Sequence, residues 1–246
     1  MSMIRFSKIR VLETGYNSAA LNMAIDEALI ESIDESPVFR VYGWRPAAVS
    51  VGYFQSIRDE VDIEKCREIG VDIVRRLTGG GAVLHEFELT YSFITKQYPQ
   101  NIMESYRWIC EAVVMSIKRL GFNASFVPLN DIVVNGKKVS GSAQTRRKGV
   151  LLQHGTLLLN LDVDKMFSIL KVPSEKLRDK IIKDIKERVT SLAGTSFDEM
   201  ASSLKTSFAT KFDAVLVSDC LSIDEVNRAK RLAEAKFSSK EWNFRR

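Results

Sequence analysis

Proline is scarce in this chain, with five in 246 residues, and no internal repeat, low-complexity tract or Pro/Gly/Ser linker interrupts it. Without such breaks there is no signal for a domain boundary, and residues 1–246 read as one compact domain. No apolar run approaches the ~20 residues of a membrane span, so no membrane partner is expected. The N-terminus, MSMIRFSKIR, lacks the continuous apolar stretch of a signal peptide, and the expected location is the cytoplasm. Cysteine is rarer still, three in all. Cys66, Cys110 and Cys220 are widely separated, form no CxxC pair and have no histidine nearby, which argues against a disulfide framework or a zinc site. Of the two histidines, His85 and His154, neither has the i, i+4 partner of a metal-binding helix, so no protein metal cage is expected. Charge is not concentrated either. The 36 Lys+Arg against 31 Asp+Glu leave a net +5, spread along the chain without a basic arm, and nucleic acid is not an expected partner.

What is present is a mixture of strand and helix signals. Asn17-Ser18 caps a helix whose apolar positions are Leu21, Ala24, Ile25, Ala28 and Leu29. VFRVYGW (38–44) and AAVSVGYF (47–54) read as strands, a short helix at about 61–69 stops at Gly70, and VDIVRRL (71–77) reads as another strand. ELTYSFITK (88–96) follows a triple glycine, and residues 103–120 form a long helix closed by Gly121. From Asp131 to Leu161 the chain alternates like an antiparallel meander with an Asn135-Gly136 hairpin turn. The last third reads as helical, broken briefly around 188–196. Strands and helices without regular βαβ alternation predict an α+β fold, a mixed or antiparallel sheet flanked by helices.

Two segments carry candidate chemistry. In RRLTGGGAVLHE (75–86), Gly79, Gly80 and Gly81 let the backbone approach a ligand and turn N–H groups toward an anion. Arg75 and Arg76 could hold a phosphate or carboxylate. The competing reading is a tight glycine turn beside surface arginines. It is no Walker A loop, since Gly-Lys-Ser/Thr is missing, and no dinucleotide fingerprint. The second segment, NDIVVNGKKVSGSAQTRRKGVLLQHGTLLL (130–159), puts a lysine on a hairpin ahead of Ser140-Gly141-Ser142-Ala143. An ammonium there could stabilise charge on a carbonyl or phosphoryl oxygen; a solvated hairpin tip is the competing reading. A hairpin could bring Asp131 near that lysine. Composition permits a Ser/His/Asp triad, but there is no GxSxG elbow.

RRLTGGGAVLHEFELTYSF together with LNDIVVNGKKVSGSAQTRRKGVLLQHGTLLL resembles the lipoate–protein ligase A family, which shares a superfamily with octanoyltransferases and biotin–protein ligases. The similarity runs from MAIDEAL through YGWRPAAVSVGYFQ to KEWNFRR. It implies a biotin/lipoate-ligase-like catalytic domain in which Arg75, Arg76 and the stretch Gly79, Gly80, Gly81, Ala82, Val83, Leu84 and His85 enclose the acyl group and nucleotide. Asn130, Asp131, Ser140, Gly141, His154, Gly155 and Thr156 belong to the same implied site. The family's essential lysine corresponds to Lys138 rather than Lys137. The implied reaction is ATP-dependent: lipoate and MgATP give lipoyl-AMP, with magnesium near Asp131, and the lipoyl group passes to a lysine of an acceptor. That acceptor would be a lipoyl-domain protein of the 2-oxoacid dehydrogenase E2 or glycine cleavage H protein type.

Two departures bear on this expectation. After His85 the ligases carry Asp and then a glycine, whereas this chain has Glu86, Phe87 and Glu88. The ELTYSF that follows is closer to cysteine-dependent octanoyltransferases, which move an acyl group between carrier proteins. Those enzymes need a nucleophilic thiol, and this chain has none in FVPLNDIVV or RVTSLAGTS, where it would stand. Asn130-Asp131 matches the ligases, so an ATP-dependent ligase is the expectation and an acyltransferase the alternative. The ligases' C-terminal accessory domain is not seen here, which implies a small partner protein to supply it.

Overall fold

The computed structural model describes residues 4–172 and 178–246. In chain order the elements are β1 (Lys8–Asn17), α1 (Ala19–Ser32), β2 (Val38–Trp44), β3 (Ala48–Val51), α2 (Ile57–Glu60), α3 (Ile63–Glu68), β4 (Asp72–Arg75), β5 (Val83–His85), β6 (Glu88–Thr95) and α4 (Ile102–Arg119). There follow β7 (Ala124–Val127), β8 (Asp131–Val134), β9 (Lys137–Arg147), β10 (Val150–Leu158), α5 (Val163–Ile169), α6 (Arg178–Arg188) and α7 (Phe197–Phe212). β11 (Val215–Asp219), α8 (Ile223–Leu232), a π-helical turn (Ala233–Phe237) and α9 (Lys240–Asn243) complete the chain. The fold is α+β. Eight strands form one mixed sheet in the order β11-β1-β2-β6-β10-β9-β8-β7, and β4-β3-β5 form a second, smaller one.

The large sheet is buried on both faces at its centre. Every residue of β2 and of β6 is buried. Alternate side chains divide between the faces, as the strand period requires. Phe39, Val41, Tyr91 and Phe93 join one core cluster with Ile109, Val113 and Ile117 of α4 and Leu204, Phe208 and Phe212 of α7. Val38, Tyr42 and Ile94 join another with α1 and with Ala229 and Phe237. Each major helix begins on a side-chain cap: Ser18 accepts from the amide of Leu21, Asn101 from that of Glu104, and Ser196 forms a capping box with Glu199. α4 ends where Gly121 takes φ +89°, a conformation open to glycine without steric cost.

Several sequence expectations are corrected in their bounds. The strand expected at 47–54 is confined to Ala48–Val51, and that at 71–77 to Asp72–Arg75. The helix expected at about 61–69 is present as Ile63–Glu68, and a further short helix, Ile57–Glu60, precedes it. The helical last third contains β11, a parallel edge strand beside β1, and part of that reading, residues 173–177, lies outside the described residues. β11 escaped detection because it is half exposed, with Val215 at 67% and Val217 at 43%, so it lacks the alternation of a covered strand.

α1 buries polar residues as well as apolar ones. Asn22 and Asp26 lie under the sheet beside Arg40 of β2, whose guanidinium donates to Asp26 Oδ1 at 2.7 Å, Asn22 Oδ1 at 2.6 Å and the Asn22 carbonyl at 3.1 Å. Burial pushes the Asp26 carboxyl up, but Arg40, His154 and Ser92 together outweigh it and hold it below the usual carboxylate range.

Candidate functional site

The hairpin β8–β9 turns at Asn135 and Gly136, both with positive φ (49° and 79°), as an Asn-Gly two-residue turn demands. The pairing of β8 with β9 then slips: Val133 faces Lys138, but Ile132 faces Ser140. This bulge has a consequence for the site. Lys138 and Gly141 are three apart and would face opposite sides of a regular strand; the extra residue re-aims Lys138. A Cβ on Gly141 would lie 3.2 Å from Lys138 Nζ and 3.5 Å from Asp131 Oδ1, so the glycine makes room for the pair. Lys138 Nζ sits 2.8 Å from Asp131 Oδ1.

The glycine loop is held from below by Arg76. Its guanidinium donates to the carbonyls of Gly79 and Gly81 at 2.7 Å each, and to the carbonyl and Oγ of Ser50 at 3.0 Å each. No carboxylate is among its partners in the described residues. Burial lowers its pKa to about 10, which leaves it charged near neutrality. Only Gly80 of the three glycines has positive φ, +95°. A Cβ on Gly79 or Gly81 would meet nothing within 4 Å, so space beside the loop is open to a ligand.

Both segments wall one cavity of about 540 Å³, a volume suited to a small molecule. Among its lining residues are Arg76, Gly80, Gly81, Ala82, Val83, Leu84 and His85 from the glycine segment. Asn130, Lys138, Ser140, Gly141, His154, Gly155 and Thr156 line it from the meander. The two motifs meet because β10 pairs with β6 on one side and β9 on the other. Gly155 must be glycine: a Cβ there would lie 2.7 Å from both Ser142 Oγ and Tyr91 Cε1.

Three expected site residues stand elsewhere. Arg75 points away from the cavity and is fully buried; its guanidinium donates to the carbonyls of Gly52, Tyr53, Gln55 and Asn243. It ties the C-terminal segment to β4, where Trp242 Nε1 returns a bond to its carbonyl at 2.9 Å. Gly79 is not among the lining residues. Asp131 touches the site through Lys138 and is not itself part of the lining. Among the described residues no group of three or more His, Cys, Asp or Glu could hold a metal ion, and Asp131 has Lys138 as its neighbour where magnesium was expected.

Other residues of the site were missed in the sequence. Ile181, Ile185 and Val189 line the cavity from α6 and just beyond it; their i, i+4, i+8 spacing was the available signal. Met23, Tyr42, Trp44, Met166 and Phe167 add to an apolar wall. Gly52 is a further case, because a Cβ on it would fall 2.0 Å from the Gly80 carbonyl oxygen. Gly52→Ala therefore displaces the glycine loop. Overpacking of this kind costs typically 1–3 kcal/mol, and the expected outcome is a lowered melting temperature together with lost activity. A variant with wild-type melting and turnover would show that the loop tolerates the shift.

Both histidines are buried and each bridges a carboxylate and a hydroxyl. His154 lies between Asp26 Oδ2 at 3.3 Å and Thr78 Oγ1 at 2.7 Å, and burial lowers its pKa below the ordinary imidazole value. His85 lies between Glu88 Oε1 at 2.5 Å and Ser50 Oγ at 2.7 Å, with its ring stacked on Trp44 at 4.0 Å.

Comparison with known proteins follows the same lines. The family described as the lipoyl protein ligase A/B catalytic domain matches residues 18–212. Relatives named octanoyltransferase LipM include that of Bacillus subtilis, 38% identical over 96% of this chain and 98% of its own. Among solved structures, a bi-partite lipoate protein ligase described with its E2 lipoyl domain, from Thermoplasma acidophilum, superposes with a TM-score of 0.89 at 34% identity, covering 98% of this chain and 96% of that one. A lipoate-protein ligase A bound with ATP gives 0.84 at 30% identity, covering 97% and 98%.

These findings correct the expectation of an ATP-dependent ligase. The full-length relatives at 34–38% identity carry the octanoyltransferase name, and the bound ATP belongs to the more distant neighbour. The ATP and magnesium that the ligase reading called for lose their ground with it, since the bound ATP is that of the neighbour at 30% identity. Asn130-Asp131 and the missing cysteine stand on the ligase side of the comparison, whereas Glu86-Phe87-Glu88 and ELTYSF stand on the octanoyltransferase side.

Proposed function

The chain belongs to the lipoyl protein ligase A/B catalytic-domain family, and from that premise we propose that it moves an octanoyl group from a carrier-protein thioester to a lysine of a lipoyl-domain acceptor. The observation that carries this reading is the full-length similarity to octanoyltransferases, and the apolar cavity beneath the glycine loop and Lys138 supports it. In this reading the octanoyl chain lies in the apolar part of the cavity, and Lys138, which lines the same cavity, faces the reacting carbonyl. As a nucleophile adds, negative charge grows on the carbonyl oxygen, and a preorganised ammonium stabilises that charge more than the ground state. The carbon–sulfur bond then breaks, the carrier thiol leaves, and the acyl carbon ends in an amide with the acceptor lysine. The apolar walls keep water from competing for the acyl group.

No cysteine carries the group in this account. Cys66 lies in the core beneath the small sheet and Cys110 on α4 behind Ser142, its sulfur 3.8 Å from Ser142 Oγ; Cys220 is exposed near the edge strand. None is among the cavity-lining residues. Burial pushes the thiols of Cys66 and Cys110 up to about 11, so neither supplies much thiolate at neutral pH. The test uses octanoylated carrier, lipoyl-domain acceptor and a variant with Cys66, Cys110 and Cys220 all changed to Ser. Transfer should persist at the wild-type rate once corrected for folded protein. An octanoyl thioester trapped on any of the three would contradict it.

A further inference from the structure

With no thiol at the cavity, the two carboxylate–imidazole–hydroxyl arrangements are the nucleophile candidates, and they are not equivalent. The hydroxyl beside His154 belongs to Thr78, which is not among the lining residues, and Asp26 is already neutralised by Arg40. The hydroxyl beside His85 belongs to Ser50, which does line the cavity. Its carboxylate, Glu88, has no lysine or arginine partner among the described residues; Oε1 is shared by His85 and Thr90, and Oε2 is buried without a hydrogen-bond partner.

The fold brings these three together across two sheets. Ser50 on β3 faces Val83 on β5, and Ala48 faces His85, so Ser50 and His85 are diagonal neighbours on one face. Glu88 opens β6 three residues further on. The His85 ring is fixed by its stack on Trp44, and Trp44 Nε1 donates to Thr90 Oγ1 at 2.8 Å, which donates to Glu88 at 2.8 Å. A carboxylate at Nδ1 keeps the proton there and leaves Nε2 free to accept from the serine, the orientation a serine–histidine–acid relay requires. Arg76 Nη1 adds a donor 3.0 Å from Ser50 Oγ. A guanidinium with no carboxylate partner lowers the cost of negative charge on that oxygen.

We propose that Ser50 is the internal acyl acceptor of the transfer, with His85 as general base and Glu88 as its orienting acid; this rests on the octanoyl-transfer reading above. In the first half-reaction His85 Nε2 takes the Ser50 proton as Oγ attacks the thioester carbonyl. The tetrahedral intermediate collapses, the carbon–sulfur bond breaks, and the His85 proton leaves with the sulfur as a thiol. In the second, the neutral amine of the acceptor lysine attacks the Ser50 ester. His85 takes a proton from the nitrogen and returns it to Oγ, so serine is regenerated and the amide released. No oxidant or other co-reactant is consumed.

The experiment incubates the whole chain with octanoylated carrier protein, without acceptor, and maps the acid-quenched product by mass spectrometry. An octanoyl group on Ser50, stable to neutral hydroxylamine and removed by alkaline hydroxylamine, is expected. Ser50→Ala should lose the adduct and nearly all of the transfer, roughly 10⁶-fold. Ser50→Cys separates chemistry from packing: it should keep an acyl adduct, now released by neutral hydroxylamine, and retain transfer. Glu88→Gln should slow formation of the adduct and alter its pH profile. Wild-type transfer without an ester on Ser50, and with Ser50→Ala as active as wild type, would overturn this proposal and leave octanoyl transfer standing. Absence of any transfer from the carrier thioester by the wild type would overturn both.

Discussion

Replacing Lys138 with alanine lowers acyl transfer by about 10²–10³, equivalent to ~2.7–4 kcal/mol of lost charge stabilisation, while the fold persists. The side chain is 43% exposed and its ion pair with Asp131 is half in solvent, so its loss removes little stability; exposed pairs contribute about 0–1 kcal/mol. Its position is special because the β8–β9 bulge and Gly141 aim the ammonium into the cavity. Lys137, one residue earlier, lies at the exposed hairpin turn and outside the lining, and Lys137→Ala should leave transfer near the wild-type rate. Initial rates of acceptor acylation, with circular dichroism as the control for folding, decide this. Equal losses in the two variants would contradict the assignment.

The largest effect on stability is expected at Asp26. Asp26→Ala strands the Arg40 guanidinium, which is fully buried, and it also removes the acceptor for Ser92 Oγ at 2.8 Å. Breaking one partner of a buried pair costs about 3–5 kcal/mol, readable from urea unfolding midpoints at constant m. The same carboxylate implies an acid dependence. Its folded-state pKa lies below the ordinary value, so its stabilisation is fully present above the unfolded value of ~3.9 and is lost as pH falls below it. Asp26→Ala should abolish that part of the acid sensitivity. A loss under ~1 kcal/mol would show that the network is energetically idle. Because Asp26 also orients His154 in the cavity wall, part of the damage should appear as slower transfer by the protein that remains folded.

Much of this fold was readable from local pattern. β2, β6 and the β9–β10 hairpin are dense apolar or alternating runs with clear stops, and α1 and α4 carry caps and a glycine stop. β1 was not, since its charged and polar residues mask the pattern and its partners, β2 and β11, are reached only through non-local parallel pairing. The site was legible as two motifs because each is contiguous and chemically unusual. Within them, Arg75 and Arg76 could not be told apart: adjacent strand residues face opposite sides, and which side holds the cavity depends on tertiary packing. The Ser50–His85–Glu88 arrangement was beyond sequence pattern, because Ser50 arrives from a strand 35 residues before His85 through the register of β3 on β5. The ligase and transferase readings share nearly all these residues, so local chemistry does not separate them.

The central claim is that the acyl group comes from a carrier thioester and needs no nucleotide. The most direct measurement compares two reactions of the purified chain with one lipoyl-domain acceptor, followed by intact mass. One contains octanoylated carrier protein and no ATP; the other contains free octanoate with ATP and magnesium. Octanoylation of the acceptor in the first and none in the second is the predicted result. Modification only from the free acid with ATP would contradict the account.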